Sequence, residues 1–560
     1  MATKLSITDF VLRENRGKIS DLNVDVWQHE LQSDPDRDYL LTGVKEGFMI
    51  TDISENVPSV EVQNQASATL PHNIDKVSSQ ILSEIQEGRY VTVKEKPTIV
   101  SPLAAIAKDD GTVRLIHDAS KPVNLALNDC VLYHDKVKYQ SIQDAVNLLK
   151  PGSYCCKIDL KSAYRSVGIH PSQYHLCGLK WDLNGKETYL VDTRLMMGAS
   201  KAPSIFHRLS QAIKRRMEHR GYNVVAYLDD FLIVSDTFQE CLAGQHVLIK
   251  LLRNMGFAIS WQKVCGPSNK IVFLGVEINT CEMTLSLPEG KVKEIKGILH
   301  NFLKRKRASA KQIQSLAGKL NWACHVIRCG RSYLRNILDA LAHLRMPYHK
   351  VLISEKFVTD IKWWILALEG FPGKYMLFKP SVHVIQIDAS KNGSGFVFNQ
   401  DWGYVNWKVD FPQVAKCHIN CKETISAVLA ARRWAPLWEN SKVVFCTDNQ
   451  TAKACIQKGT SKNPSLLPWV RELHLWSLLF NFDIVSSWIP GVNNVIPDTI
   501  SRLHDHTYQR YFLSMLNIPT MSDNNKVLYC SLLHHMSYKG FLSCFPRFHQ
   551  PVGKIVRSDC

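Results

Sequence analysis

The sequence predicts a mixed α/β (α+β) chain built from several domains. Three observations predict it. The 560 residues correspond to roughly three to five domains at about 100–200 residues each. Strand-like and helical runs alternate to about residue 280 and again over 382–503. Between these stretches, Gly370-Phe371-Pro372-Gly373 and Lys379-Pro380-Ser381 read as a linker. With 45% apolar and 21% charged residues, disorder of the whole chain is excluded.

Residues 1–75 are polar and acidic, with 6 Lys/Arg against 13 Asp/Glu. Partial order is expected there, anchored by Trp27 and the Tyr39-Leu40-Leu41 patch. The rest of the chain carries a net charge of +24. A basic body of this size points to a polyanionic partner, most simply nucleic acid; a solvated basic surface is the alternative. No stretch of about 18 apolar residues is present, so no membrane span is expected. The first residues, MATKLSITDFVLRENRGK, lack the apolar core of a signal peptide. The 16 cysteines are therefore expected as reduced thiols in the cytosol or nucleus. Cys417-His418-Ile419-Asn420-Cys421 lacks the second ligand pair that a zinc site needs.

Residues 76–90 read as a helix with Val77, Ile81, Leu82 and Ile85 on its apolar face. Strand-like runs follow at Tyr90–Val93, Thr98–Val100 and Val113–Ile116, with Asp110-Gly111 as a hairpin turn. Tyr154–Leu160 reads as a strand ending in Asp159, and Lys161–Arg165 as the start of a helix. Val224–Val234 reads as a hairpin with Asp229-Asp230 at its tip. Its flanks are apolar on both faces, which implies a buried sheet. Adjacent carboxylates beside such a sheet repel one another unless a cation neutralises them, and a hard divalent ion with oxygen ligands is the natural partner. An ordinary surface turn is the alternative for the pair alone. Phosphoryl transfer with two metals needs carboxylates from separate elements, and Asp159 with Asp229-Asp230 supplies that set.

The Tyr227-Leu228-Asp229-Asp230 hairpin resembles the central motif of reverse transcriptases, and the other motifs follow in order. Lys108 and Arg114 resemble the residues that hold the incoming nucleotide's triphosphate. Asp159 with Tyr164 resembles the first metal ligand with the steric gate. Leu195–Phe206, including Met197 and Gly198, resembles the loop and helix beneath template and nucleotide. Position 197 is Met where relatives often carry Gln or Phe, a departure that bears on how base and sugar are contacted. Gly256-Phe257 with Lys263 resembles the motif whose lysine protonates the leaving pyrophosphate. Phe273-Leu274-Gly275 resembles the primer grip.

From Lys291 to Lys319 nine basic residues face one acid, Glu294. Ile295, Ile298, Leu299, Phe302 and Leu303 recur at helical spacing, and residues 288–345 are expected to be helical. The resemblance places a thumb here, with Lys304, Arg305, Lys306 and Arg307 against duplex; a nuclear-localisation run is the alternative. Leu316–Ala323 resembles the join between polymerase and nuclease in long-terminal-repeat-type elements.

Val382–Asp388 reads as a strand ending in an acid, and Asn392–Gly395 as a turn before Phe396. Glu423 opens an apolar helical run, Lys442–Asp448 is a second strand ending in an acid, and Asp498 lies on a late helix. The order Asp388, Glu423, Asp448, Asp498 resembles ribonuclease H. The Thr447-Asp448-Asn449 and Asp498-Thr-Ile-Ser-Arg502 wording, after Trp488-Ile-Pro-Gly491, is most similar to DIRS-type, tyrosine-recombinase retroelements.

The resemblance implies a right-hand polymerase with a C-terminal ribonuclease H-like α/β domain. It divides the chain into an acidic extension (1–75), fingers and palm (76–280), basic thumb and connection (281–380), ribonuclease H-like domain (381–503) and tail (504–560). It implies Mg²⁺, with Mn²⁺ as the alternative, two ions per active site. The metal ligands would be Asp159, Asp229 and Asp230, then Asp388, Glu423, Asp448 and Asp498. The implied partners are an RNA template, a DNA primer, RNA–DNA hybrid and dNTPs. No protease, zinc-knuckle, integrase or recombinase motif is present, so a recombinase and a capsid-like protein are expected on separate chains. A silent nucleic-acid-binding relic or domesticated host protein is the alternative, as is a nuclease with a silent polymerase half.

Overall fold

The computed structural model describes residues 6–108, 111–133, 136–342, 344–370 and 373–515. Asp110 of the expected hairpin turn, Phe371-Pro372 of the linker and residues 516–560 of the tail lie outside them. The chain divides into two compact units that part between Glu282 and Met283.

The first unit is centred on a four-stranded antiparallel sheet in the order Cys265–Ser268, Tyr154–Asp159, Asp230–Ser235, Asn223–Tyr227. Val224, Val225, Ala226 and Phe231 to Val234 are all buried, so both faces of the expected hairpin are covered. Helices Ala202–His219 and Phe238–Asn254 bury Phe206, Ile213, Leu248 and Leu252 in the same core. A five-stranded sheet contains Tyr90–Val93, Ile99–Val100, Gly178–Leu183 and Lys186–Asp192. Leu103–Ala107 and Val113–His117 form a separate hairpin.

Several expectations change. Residues 6–75 are not a loosely anchored extension: helices Ile7–Glu14, Val24–Glu30 and Arg37–Glu46 belong to the first unit. Trp27, Leu31 and Leu40 are fully buried, and Trp27 Nε1 donates to Met255 O at 3.1 Å. The acidic charge has a partner. Glu30, Asp34 and Asp36 meet Arg216, Arg220, Arg215 and Arg208 at 2.5–2.7 Å. Acid in one segment balances base 172 to 190 positions away, which local periodicity does not register. Helix Pro71–Gln86 buries Val77 and Ile81 but exposes Leu82. Lys161–Arg165 starts no α-helix. Ser162 adopts φ 50° and only a single 3₁₀ turn, Ala163–Ser166, follows.

In the second unit the basic stretch is two helices, Glu289–Leu303 and Ala310–Ala323, separated by a short strand, Arg307–Ser309, paired with Lys350–Leu352. The break is a capping box. Ser309 Oγ accepts from Gln312 N–H, and Gln312 Oε1 accepts from Ser309 N–H. Helix Glu355–Gly370 closes the core around Phe302, Leu320 and Trp364. A five-stranded mixed sheet follows, in the order Asp401–Asn406, Gly393–Phe398, Val382–Ala389, Lys442–Thr447, Asp483–Trp488. The last three strands run parallel. Helix Ile419–Trp434 packs on this sheet and contributes Ile425, Val428 and Trp434 to its core. The expected turn at Asn392–Gly395 falls two residues earlier: Ser390 N–H donates to Gly393 O across the hairpin turn, and Gly393 opens a strand that runs on through Gly395. A Cβ on Gly395 would sit 2.3 Å from Pro497 O, so glycine lets helix Val495–Ser501 lie against the sheet. Among the described residues no helix is long and apolar enough to cross a membrane, and thirteen cysteines are free thiols.

Candidate active sites

The first site forms where the central strands end. Asp230 and Asp159 are directly opposed in register. Asp229 sits on the two-residue tip, its carbonyl accepting from Leu160 N–H at 3.1 Å. Leu228 takes φ 51° to close that tip. A left-handed leucine costs about 1–2 kcal/mol, strain of the kind that active-site turns store.

Two ammonium groups face the acids. Lys263 Nζ donates to both Asp159 oxygens at 3.0 and 3.1 Å. Lys157 Nζ lies 3.3 Å from Asp230 Oδ1, an ion pair without hydrogen-bond geometry. Burial still raises the Asp229 carboxyl, and repulsion from Asp159 adds to it. Burial also pushes Asp230 up to about 6, opposed by Lys157 and assisted by Asp159 and Asp229. These acids resist ionising beside one another, so the position fits a divalent cation with oxygen ligands.

Asp159 and Asp229, but not Asp230, open on a cavity of about 840 Å³ whose walls also include Lys108, Arg114, Tyr164, Met197 and Lys263. Lys108 and Arg114 flank the tip of the Leu103–His117 hairpin. The Tyr164 ring packs edge-on against Phe206 at 5.2 Å. Gly198 is not part of the wall, but it has φ 123° and a Cβ there would sit 1.8 Å from His117 O. Phe273-Leu274-Gly275 forms the tip of another hairpin, Lys270–Asn279, with Phe273 buried, and does not line the cavity. Lys304, Arg305, Lys306 and Arg307, in the second unit, are exposed between its two basic helices.

The second site lies on the five-stranded sheet. Asp388 is at the end of the Val382–Ala389 strand, and Asp448 directly follows the Lys442–Thr447 strand. Glu423 is in the second turn of its helix, not at the start. Each of the three offers an oxygen within 4.8 Å of the others, and they are the one such group among the described residues. Cys417 and Cys421 form no comparable cluster there. Glu423 Oε1 accepts from Ala389 N–H at 3.1 Å and Oε2 from Thr447 Oγ1 at 3.3 Å. Burial, with Asp388 beside it, drives Glu423 well above the usual carboxylate range. Burial also pushes Asp388 up to about 7, with Asp498 and Asp448 adding to it. Asp448 is raised by burial as well. Asp498 stands apart from the triad. It faces Asp388 closely enough to repel it, and its Oδ1 accepts from Arg502 at 2.6 Å.

Residues 106–278 match the family model "Reverse transcriptase (RNA-dependent DNA polymerase)". The chain carries a reverse transcriptase domain of retroelement and retroviral type. The match contains Lys108, Arg114, Tyr164, all three acids of the first site and Lys263. The chain is also similar to viral polyproteins. The enzymatic polyprotein of figwort mosaic virus is 24% identical over 391 residues, 66% of this chain and 53% of the relative. The genome polyprotein of petunia vein clearing virus is 26% identical over 414 residues, 70% of this chain and 17% of the relative. The Gag-Pol polyprotein of avian reticuloendotheliosis virus is 27% identical over 136 residues, 23% and 12% of the two chains. The chain thus spans about half or less of these relatives. The foamy viral protease-reverse transcriptase solved with RNA/DNA hybrid shares the fold at 16% identity and a TM-score of 0.51, covering 87% of this chain and 63% of that one.

Residue-type reasoning did not find Lys157, or the group of Glu84, His117 and Arg165 in the cavity wall with Asp192 behind them. The available signal was Arg165 itself, a charge directly after Tyr164 in a segment otherwise entering the core.

Proposed function

We propose that the chain is an RNA-directed DNA polymerase whose second unit carries a ribonuclease H that degrades the RNA strand of the hybrid. The observation that carries the reading is the register pairing of Asp159 with Asp230, beside Asp229 in a cavity that also holds Lys108 and Arg114. Asp159, Asp229 and Asp230 would hold the metal ions of synthesis, and Asp388, Glu423, Asp448 and Asp498 those of RNA hydrolysis. Bound in pairs, such Mg²⁺ or Mn²⁺ ions activate the attacking oxygen and stabilise the leaving one.

The chain's own residues do the rest. Lys108 and Arg114 bind the triphosphate of a dNTP, and the Tyr164 ring occupies the space a 2′-hydroxyl needs. Lys263 holds its proton on Nζ near the acids, where a leaving pyrophosphate takes it. Glu423 is fixed by Ala389 N–H and Thr447 Oγ1. Exposed Lys304 to Arg307 bind duplex phosphates. RNA template, DNA primer and RNA–DNA hybrid are the proposed partners. The solved neighbours bound to double-stranded DNA and to RNA/DNA hybrid support this.

The element is read as DIRS-type from its Thr-Asp-Asn and Asp-Thr-Ile-Ser-Arg motifs, with recombinase and capsid-like proteins on other chains. All seven acids are present, which favours an enzyme over a silent relic. The deciding experiment extends a labelled DNA primer on an RNA template with the purified chain and Mg²⁺ or Mn²⁺. Extension by the parent and none by Asp229→Asn supports the reading; no extension by folded parent protein with either ion rejects it.

A further inference from the structure

Glu84, Tyr90, His117 and Arg165 lie in the wall of the nucleotide cavity, and with Asp192 behind them they form a charged network that the metal chemistry does not use. Arg165 directly follows Tyr164. Its Nη1 donates to Asp192 Oδ2 at 2.8 Å, and its Nε and Nη2 donate to Glu84 Oε2 at 3.0 and 2.8 Å. The guanidinium lies 5.2 Å from the Tyr90 ring centre. Asp192 is fully buried, and its Oδ2 is also 3.4 Å from His117 Nε2. The Tyr90 hydroxyl lies 3.0 Å from the same His117 nitrogen. His117 N–H in turn donates to Met197 O at 3.0 Å, and its carbonyl occupies the space a side chain at 198 would need.

Five segments are therefore joined through Arg165, His117 and Asp192: the Glu84 helix, the Tyr90 strand, the strand carrying Arg114 and His117, the Tyr164 turn and the strand ending in Asp192. Apolar packing of equal volume often stabilises a core as well as a buried ion pair does. What the charges add is direction, because each is satisfied in one geometry only. Arg165 engages two carboxylates and so orients the Ala163–Ser166 turn. That turn holds the Tyr164 ring against Phe206, while His117 holds the Met197–Gly198 turn.

We propose that Arg165, acting through Asp192 and His117, is a positioning residue that holds the Tyr164 ring and the Met197–Gly198 turn in one fixed arrangement and so sets selection at the nucleotide's sugar. The inference rests on Tyr164 being the sugar selector. Misplacement by about 1 Å can cost on the order of a hundredfold, so a partial shift of the ring is expected to cost about tenfold in discrimination.

The test is single-nucleotide kinetics with dNTP and the matching rNTP, on proteins whose fold and primer–template affinity are checked. Arg165→Met leaves Asp192 and Glu84 without their shared cation, so the double-charge variant Arg165→Met/Asp192→Asn, in which Glu84 alone keeps its charge with Arg89 3.9 Å away, is measured beside it. The dNTP/rNTP ratio of kcat/KM is expected to fall about tenfold in both, through a higher dNTP KM and a lower rNTP KM, and to recover partly in Arg165→Lys. In a Tyr164→Ala background, Arg165→Met is expected to add no further loss, because the ring it positions is gone. A merely structural role lowers kcat on both nucleotides alike and leaves the ratio unchanged. That result in the folded double-charge variant, with the ratio altered in Tyr164→Ala, overturns the proposal alone. An additive loss in the Tyr164→Ala background also overturns it. An unchanged ratio in Tyr164→Ala overturns the selector reading and the proposal with it.

Discussion

At the scale of single residues, both sites are clusters of carboxylates that folding forces together. Asn at position 159 or 229 keeps the shape and removes the charge that holds a metal. Losing that charge stabilisation costs several kcal/mol in the transition state, enough to abolish measurable synthesis. Primer extension by folded Asp159→Asn or Asp229→Asn at near-parent rate would contradict the assignment. The same charges work against folding. Asp230 is pushed from its ordinary 3.8 up to about 6 and Asp388 up to about 7. A raised carboxyl destabilises the native state fully above its folded value, and the penalty vanishes as pH falls toward 3.8. In chelator at pH 8, Asp230→Asn and Asp388→Asn should therefore unfold at higher urea than the parent. The advantage should shrink as pH falls below about 6 and about 7 respectively. Identical urea midpoints at pH 8 would show that these carboxylates are not strained.

At the scale of elements, the acidic N-terminal segment and helix Ala202–His219 form a clamp. Glu30 is buried and meets Arg216 and Arg220 at 2.7 Å. Burial opposes its ionisation, but the two arginine hydrogen bonds outweigh burial and lower its carboxyl below the ordinary value. Its contribution is thus present above the unfolded value near 4.5 and lost as pH falls through the folded one. Glu30→Gln should cost about 1.5–3 kcal/mol at pH 7, the scale of hydrogen bonds to charged groups. In urea titrations the difference from the parent should close below pH 4.5; a gap of the same size at acid pH would exclude the ion pairs as its source. A second element-level expectation concerns the loop between the two basic helices. Lys291 and Lys319 meet Glu294, Lys293 meets Glu289 and Lys296 meets Glu369. Among the described residues Lys304 to Arg307 have no carboxylate partner. Replacing Lys304, Arg305 and Lys306 with Gln should weaken duplex binding alike on every sequence. It should flatten the salt slope by about 0.9 per lost phosphate contact. An unchanged slope with lost nuclear import would support the localisation reading instead.

At the scale of the molecule, the acids proposed for the polymerase and those proposed for the nuclease belong to different compact units, each with its own core. A charge removed from one core leaves the other's packing untouched. Asp448→Asn should stop cleavage of RNA in a hybrid while primer extension stays within about twofold, the scatter expected of independent sites. Asp388→Asn and Glu423→Gln should behave alike. Asp498→Asn should be mildest, because Asp498 is outside the triad and is already paired with Arg502. A labelled RNA strand and a labelled primer report both activities on one preparation. Equal loss of both in a folded mutant would show that the sites are not separable.

The sequence by itself determined the strands, the acids at their ends and the order of the motifs. Alternation of apolar residues and a carboxylate at a strand terminus are local facts, visible in Tyr154–Asp159, Val224–Val234 and Val382–Asp388. The break between the basic helices was not read from the sequence, because helical periodicity runs across it; Ser309-Ala-Lys-Gln312, the capping-box pattern, was the available signal. Only the tertiary structure decided which distant charges meet. Glu30 with Arg216 and Arg220, Lys157 with Asp230, and Arg165 with Glu84 and Asp192 join residues up to 190 positions apart. It also decided that the acidic segment contributes to the core, that glycine at 395 makes room for the Asp498 helix, and that three of the four acids proposed for the nuclease converge. Periodicity reports which face of an element is apolar. It carries no information about which other element covers that face, and pairing across the fold depends on that packing alone.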